Sequence, residues 1–361
     1  MKVVLLIGAF QAFFFALLVQ QKKQKANHDF ILAAWLCYLG LFIGSYAFYT
    51  KELFDSKPQL ISSYMSLFLL HGPFLYYYTR SLISKPKRLF DYQTLLHLSP
   101  FILFNIYLLV AFHIRQGENL PWLYLAFILT TVFSGPFYMF WVIRMIHNHR
   151  KTLEDSFSYR EKIDLIWLRN LSIVFGVVWI ALISVAVVHH VMFLFTDDFC
   201  TNGLFLSLAL FVIISGYFGL KQAVITGFNE PETTVTQRYS GTNLDDGQVS
   251  EYLKRLEICM SIEKPYRDPL LTLGQLANKT GIPLHYLSRI INEQKNQNFF
   301  DYINSYRIEE VKEKINNPAY SYLSLLGIAF DSGFNSKSAF NRFFKKITGV
   351  TPSMYKSKNK T

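Results

Sequence analysis

The residue types and spacings that could do chemistry lie between Leu271 and Lys356, and they suit recognition of a polyanion rather than bond-making. Leu273, Leu276, Ala277, Gly281 and Ile282 recur 52 residues later as Leu325, Ile328, Ala329, Gly333 and Phe334, an internal repeat of one small unit. In each copy the apolar residues mark one face of a short helix, and the glycine four places after the alanine ends it where a positive φ fits. The continuations PLHYLSRIINEQ and NSKSAFNRFFKK place Leu287 and Ile291, and then Phe340 and Phe344, at buried i, i+4 positions of a second helix. That order is the sequence form of a helix-turn-helix, whose second helix can lie in the major groove of DNA. No paired carboxylates, HExxH, Walker loop, Ser/His/Asp set or kinase-type histidine box accompanies it, so no enzyme is expected. Cys37, Cys200 and Cys259 are scattered and lack ligand spacing, so neither a disulfide framework, a metal nor a cofactor is expected.

Composition separates the chain into two regimes. Of a net charge of +11 over 361 residues, +7 falls in Val249 to Thr361, which suits a nucleic-acid partner, whereas the stretch to about Gln222 is apolar. Seven windows there (Val3 to Val19, Phe30 to Tyr49, Ile61 to Tyr78, Leu95 to Ile114, Trp122 to Ile143, Leu171 to Phe195, Leu204 to Leu220) approach the roughly 20 residues that cross a bilayer. They lack the polar face of a soluble helix. The first has Lys2 before it, lysines after it and no Ala-x-Ala ending, so it reads as an uncleaved span.

Loop charge gives the orientation. Odd-numbered loops carry 13 Lys and Arg, even-numbered ones only Lys51, Lys57 and Arg115, so the N-terminus is expected outside and the C-terminal segment inside. Within the spans, His71, His97, His113, His189 and His190, with Asp197, Asp198 and Cys200 near the outer end, could form a metal or proton sensor; interhelical hydrogen bonds are the plainer reading. Gly40 and Gly44 form one Gly-xxx-Gly, and Gly72-Pro73 and Gly135-Pro136 predict kinks. Tyr76, Tyr77, Tyr78, Trp122 and Tyr124 read as an interfacial aromatic belt, and Leu153 to Leu168 as a short interfacial helix.

The expected architecture is all-α, a seven-helix transmembrane bundle followed by a cytoplasmic helical domain with two helix-turn-helix motifs. Residues 1–222 form the sensory membrane domain, 223–248 a tether rich in turn formers, and 249–361 the DNA-binding domain. A flexible tether of that length reaches roughly 25–30 Å. Val249 to Met260 predicts a helix with Tyr252, Leu253, Leu256 and Met260 on one stripe, and Asn298 to Ile315 a helix joining the two motifs, ended by Pro318.

The two motifs, the joining helix and the terminal GVTPSMYK closely resemble the DNA-binding domain of AraC-type transcriptional regulators over roughly Pro269 to Lys358. The second copy, FDSGFNSKSAFNRFFKKITGVTPSMYK, is similar to the family signature along its whole length. The membrane half is similar, less specifically, to multi-span N-terminal regions of some bacterial members. The resemblance implies DNA contacts by His285, Ser288 and Arg289 in the first recognition helix, and by Lys337, Ser338, Asn341, Arg342 and Lys345 in the second. Arginine suits guanine and asparagine adenine, while Lys337 and Lys345 suit phosphates. Asn296 departs from a usual glycine, Lys356 from an arginine, and Ala339 from an aromatic whose space falls to Phe343 and Phe344.

The expected function is a one-component transcriptional regulator in the bacterial inner membrane, reading promoter DNA under control of a signal sensed at the membrane. Its expected partners are double-stranded promoter DNA, the lipid bilayer, RNA polymerase, a second copy in a homodimer, and an unidentified small-molecule or envelope signal. The alternatives are a receptor acting through a protein partner and a membrane enzyme with an accessory DNA-binding tail.

Overall fold

The computed structural model describes residues 2–23, 25–47, 63–64, 66–83, 92–114, 121–159, 165–192, 197–222 and 245–358. Among them every regular element is helical, and the residues group into two compact units, 1–148 with 165–225, and 149–164 with 226–361.

The first unit is built on α1 (Lys2–Gln20), α2 (Asn27–Ala47), α3 (His71–Ile83), α4 (Tyr92–Ile114), α5 (Pro121–Ser156, whose last turns join the second unit), α6 (Ile166–Met192) and α7 (Asp197–Lys221). Leu32, Leu36, Leu39, Ile43, Phe205 and Val212 lie at the centre of its core. Gly40 and Gly44 let α2 approach α1 within the bundle: a Cβ on Gly40 would lie 3.0 Å from the Phe13 ring, and one on Gly44 3.2 Å from Ala9. Lys22 ties three segments together, donating to Asp29 at 2.7 Å and to the carbonyls of Gly219 and Gln222 at the end of α7, where a cation also complements the helix dipole.

Among the described residues five helices, not seven, are long and apolar enough to cross a membrane: Lys2–Gln20, Asn27–Ala47, Leu129–Ser156, Ile166–Val185 and Asn202–Lys221. In the third expected window the described residues are Ser63, Tyr64 and Ser66, all helical, a 3-10 turn Leu67–Leu70 and the start of the 13-residue α3; Ile61, Ser62 and Met65 lie outside them. Pro73 sits in the first turn of α3, directly after the 3-10 turn, where its missing N–H is tolerated. The fourth contributes only the shorter apolar stretch Leu95–Val110. The expected belt is also corrected. Tyr76 and Tyr78 are buried, Tyr76 against His97 and Trp141 and Tyr78 against Trp35 and Trp167, so they fill the core. The side chains of Trp122 and Tyr124 lie outside the described residues.

Of the histidines, His97 pairs with the Tyr138 hydroxyl at 2.8 Å. His71 is fully buried among the rings of Tyr38, Phe42 and Phe68. The side chains of His113, His189, His190, Asp197, Asp198 and Cys200 lie outside the described residues. Of the interfacial helix expected over Leu153 to Leu168, the first four residues end α5 and α6 begins at Ile166, while residues 160–164 lie outside the described residues. At about 1.5 Å per residue the 36-residue α5 is about 54 Å long, against a hydrocarbon core of about 30 Å. Most of the expected tether, 223–244, lies outside the described residues.

The second unit holds α8 (Asp246–Ile262), α9 (Leu273–Thr280), α10 (Leu284–Gln294), α11 (Phe299–Asn316), α12 (Leu325–Asp331), α13 (Lys337–Thr348) and α14 (Pro352–Lys358). It has two cores, one for each copy of the repeat. Leu256, Leu276, Leu287 and Ile291 belong to the first, and Ile328, Phe340, Phe343 and Phe344 to the second. Helix α11 feeds both, sending Phe299, Tyr302 and Ile303 into the first and Phe300, Ile308 and Val311 into the second.

Candidate nucleic-acid interface

Each copy of the repeat folds as its glycine requires. Gly281 ends α9 at φ +65°, with the Ile282 amide returning to the Ala277 carbonyl at 3.2 Å. Gly333 follows α12 at φ +93°, with the Phe334 amide returning to the Ala329 carbonyl at 3.1 Å. Asn296 holds φ +50° after α10, a conformation asparagine tolerates better than most residues. Both first helices are N-capped by a hydroxyl: Thr272 accepts from the Gln275 amide in a full capping box, and Ser324 accepts from the Gly327 amide.

The second helix of the second copy, α13, is N-capped by Ser336, whose hydroxyl accepts from the Ala339 amide at 3.1 Å. Phe340, Phe343 and Phe344 face inward, and the partly buried Ala339 packs against the same core. The opposite face presents Lys337, Ser338, Asn341, Arg342 and Lys345, all exposed and spaced so that they share one stripe. Among the described residues no carboxylate lies within ion-pair distance of Arg342; its guanidinium rests 5.7 Å from the Phe343 ring centroid. Lys346, one position on, instead reaches Asp301 at 2.9 Å.

The second helix of the first copy, α10, differs. His285 is exposed, its ring 3.9 Å from that of Tyr286. Arg289 is half-buried and holds Glu293 at 2.9 Å one turn on. Ser288 is only 4% exposed, with Asn292 at 3.5 Å. It faces the core because it follows Leu287 toward Ile291 around the helix, so the accessible polar groups of this stripe are His285 and Arg289.

Three buried polar residues of α11 hold the two units of the repeat together, and apolar periodicity did not single them out. Glu310, 3% exposed, accepts from Arg267, with Nε at 3.1 Å, and pairs with Lys314 at 2.6 Å. Lys314 in turn reaches Asp331 at 2.7 Å and Ser332 at 3.3 Å, at the end of α12. Burial alone would raise the Glu310 carboxyl; hydrogen bonds from Arg267 and Lys314 prevail and hold it below the usual range. Arg307, 1% exposed, donates from Nε to the Tyr266 carbonyl and from Nη2 to the Asp268 carbonyl, each at 2.7 Å. Burial pushes its guanidinium down to about 9, with Asp268 acting against that. The i, i+4 spacing of Glu310 and Lys314 was the one local signal for this network.

Residues 276–358 match the family model of a helix-turn-helix domain. An uncharacterized HTH-type transcriptional regulator of Staphylococcus aureus strain COL is 30% identical over 100 residues, 28% of this chain and 13% of that one. A Proteus vulgaris protein named "Probable transcription factor PqrA" is 29% identical over 108 residues, 30% of this chain and 82% of that one. The chain thus spans about an eighth of the length of the Staphylococcus relative. No solved structure matches. Residues 276–358 thus form a helix-turn-helix domain, similar to domains of proteins named as transcriptional regulators.

Proposed function

We propose that this chain is a membrane-embedded one-component transcriptional regulator whose C-terminal domain binds promoter DNA sequence-specifically. The observation that carries the reading is the stripe Lys337, Ser338, Asn341, Arg342 and Lys345 on α13, a cationic, hydrogen-bonding face exposed on the second helix of a helix-turn-helix. Arg342 and Asn341 read base edges, Lys337 and Lys345 hold phosphates, and His285 and Arg289 form the contact set of α10 once Arg289 exchanges Glu293 for DNA. Tandem recognition helices that enter successive major grooves stand about 34 Å apart.

Full-length protein in lipid nanodiscs should protect discrete sites in footprinting, with affinity that falls steeply with salt. Arg342→Glu should weaken those sites by about 10- to 100-fold, the loss of one bidentate base contact. Arg289→Glu should cost less, because its Glu293 pair must already be broken for binding. Salt-sensitive binding without any protected site would reject sequence-specific recognition. Regulation that survives the double charge reversal would favour a protein partner.

The membrane reading rests on the outward faces of the apolar helices. Val3, Ile7, Phe10, Phe14 and Leu17 on α1, Phe133, Phe137 and Phe140 on α5, and Val174 and Val177 on α6 are all exposed, a lipid-facing surface. The protein should therefore stay with membranes through an alkaline carbonate wash, and release into the supernatant would count against it. The proposed orientation has the C-terminal domain in the cytoplasm, with the signal acting through the helical bundle on an RNA-polymerase-engaging, dimer-capable regulator.

A further inference from the structure

Helix α5 does not stop at the first unit. Its last turns, with Phe157 and Ser158, belong to the second, and they enter a cleft of the helix-turn-helix domain 113 to 149 residues away in sequence. Phe157, buried, forms an isolated antiparallel bridge with Thr272, the N-cap of α9. Every polar atom of Ser158 is engaged. Its amide and hydroxyl donate to the Leu271 carbonyl at 3.1 and 2.8 Å, its hydroxyl accepts from Arg307 Nη2 at 3.0 Å, and its carbonyl accepts from Arg307 Nη1 at 3.0 Å and from Asn304 at 3.3 Å. Asn298, the N-cap of α11, adds a contact to Glu154 at 3.4 Å.

Arg307 makes the cleft specific. Its five N–H donors meet five acceptors: Tyr266 O, Asp268 O, Asn304 Oδ1, and the carbonyl and hydroxyl oxygens of Ser158. Two of the five come from the end of α5. Without them a guanidinium that is 1% exposed would keep unmet donors, which a folded protein avoids by moving the group or admitting water. Arg307 stands on α11, which feeds both cores, so its setting bears on both copies of the repeat.

We propose that the cleft of Leu271, Thr272, Asn304 and Arg307 is a receptor site for the chain's own Phe157–Ser158 segment, and that its occupancy sets the packing of α11 between the two helix-turn-helix units. The segment at and just after the end of α5 is thereby a working part of the second unit, held there through Arg307. The inference does not rest on the DNA-binding proposal, and its test needs no DNA.

The test is hydrogen exchange on the full chain in lipid nanodiscs. Ser158→Ala, which removes the hydroxyl shared by Leu271 and Arg307, should speed exchange of residues 266–272 and of α11 by about 10-fold while leaving α1 and α2 unchanged. Ser158→Pro, which also removes the bridging amide, should do so more strongly. Unchanged exchange in both variants overturns the proposal. A second arm guards against simple misfolding: Phe157→Cys with Thr272→Cys, on a Cys37→Ser, Cys200→Ser background, should form a disulfide under mild oxidation. That lock should return the Ser158→Ala variant to within about 2-fold of wild-type exchange. Failure of the pair to cross-link, or failure of the lock to restore protection, also overturns it.

Discussion

Replacing Gly333 by alanine is expected to destabilise the second helix-turn-helix unit strongly, while the same change at Gly281, its counterpart in the first copy, is expected to cost much less. Both glycines hold positive φ, so each substitution incurs roughly 1–2 kcal/mol for a left-handed alanine. Their surroundings then separate them. A Cβ on Gly281 would meet only the end of the Arg255 side chain, at 4.0 Å. A Cβ on Gly333 would lie 2.3 Å from the Tyr266 carbonyl oxygen and 2.8 Å from the Arg267 Cα, both backbone atoms that cannot swing aside. Relieving that overlap costs about another 1–3 kcal/mol. It would also push away the Tyr266 carbonyl that accepts from Arg307 Nε at 2.7 Å, so the damage reaches the joining helix. Exchange of the α12 to α14 amides should rise by about 100-fold or more in Gly333→Ala and by about 10-fold in the corresponding first-copy region of Gly281→Ala. Equal effects at the two positions would show that conformational strain alone sets the cost.

The contrast between these two glycines marks what the sequence makes legible. Positive φ at the end of a short helix is a local property, and the repeat of Ala277 and Gly281 as Ala329 and Gly333 announces it in both copies. That one glycine faces open space and the other the backbone at Tyr266 is a tertiary property, invisible to spacing. The same division explains the helices. Stripes such as Leu273, Leu276 and Ala277 recover the C-terminal elements because apolar periodicity is local, and α13 offers its expected polar stripe for the same reason. Apolar counting over Ile61 to Tyr78 does not reveal the 3-10 turn at Leu67–Leu70 that interrupts the α-helical ladder there. It took Tyr76 and Tyr78 for interfacial anchors because tyrosines facing a core and tyrosines facing headgroups have the same composition. Position in a motif points to Ser288, whereas its burial depends on where the core lies around α10. Arg307 was silent because its partners come from Ser158, Tyr266 and Asp268, distant in sequence, and a lone arginine in a helix reads as a solvated charge.

Removing the charge of Glu310 is expected to cost about 3 kcal/mol, near the lower end for breaking a buried ion pair, because Lys314 keeps a second partner in Asp331. In Glu310→Gln the buried Lys314 loses its closest counter-charge, while Arg267, 46% exposed, can turn to solvent. The penalty therefore falls on the lysine, and α11 and α12 should exchange about 100-fold faster. Replacing both Glu310 and Lys314 by methionine should cost much less than Glu310→Gln alone, since it leaves no uncompensated charge in the core. The pH dependence has a definite sign. The folded-state pKa of Glu310 lies below its ordinary value of 4.5, so the pair contributes its full stabilisation above about that pH and loses it as pH falls through the folded value. Acid unfolding of the C-terminal domain should accordingly begin below pH 4.5 in the wild type, and the Glu310→Met, Lys314→Met variant should show a shallower acid limb. An unchanged acid limb in that double variant would mean that other carboxylates govern the transition.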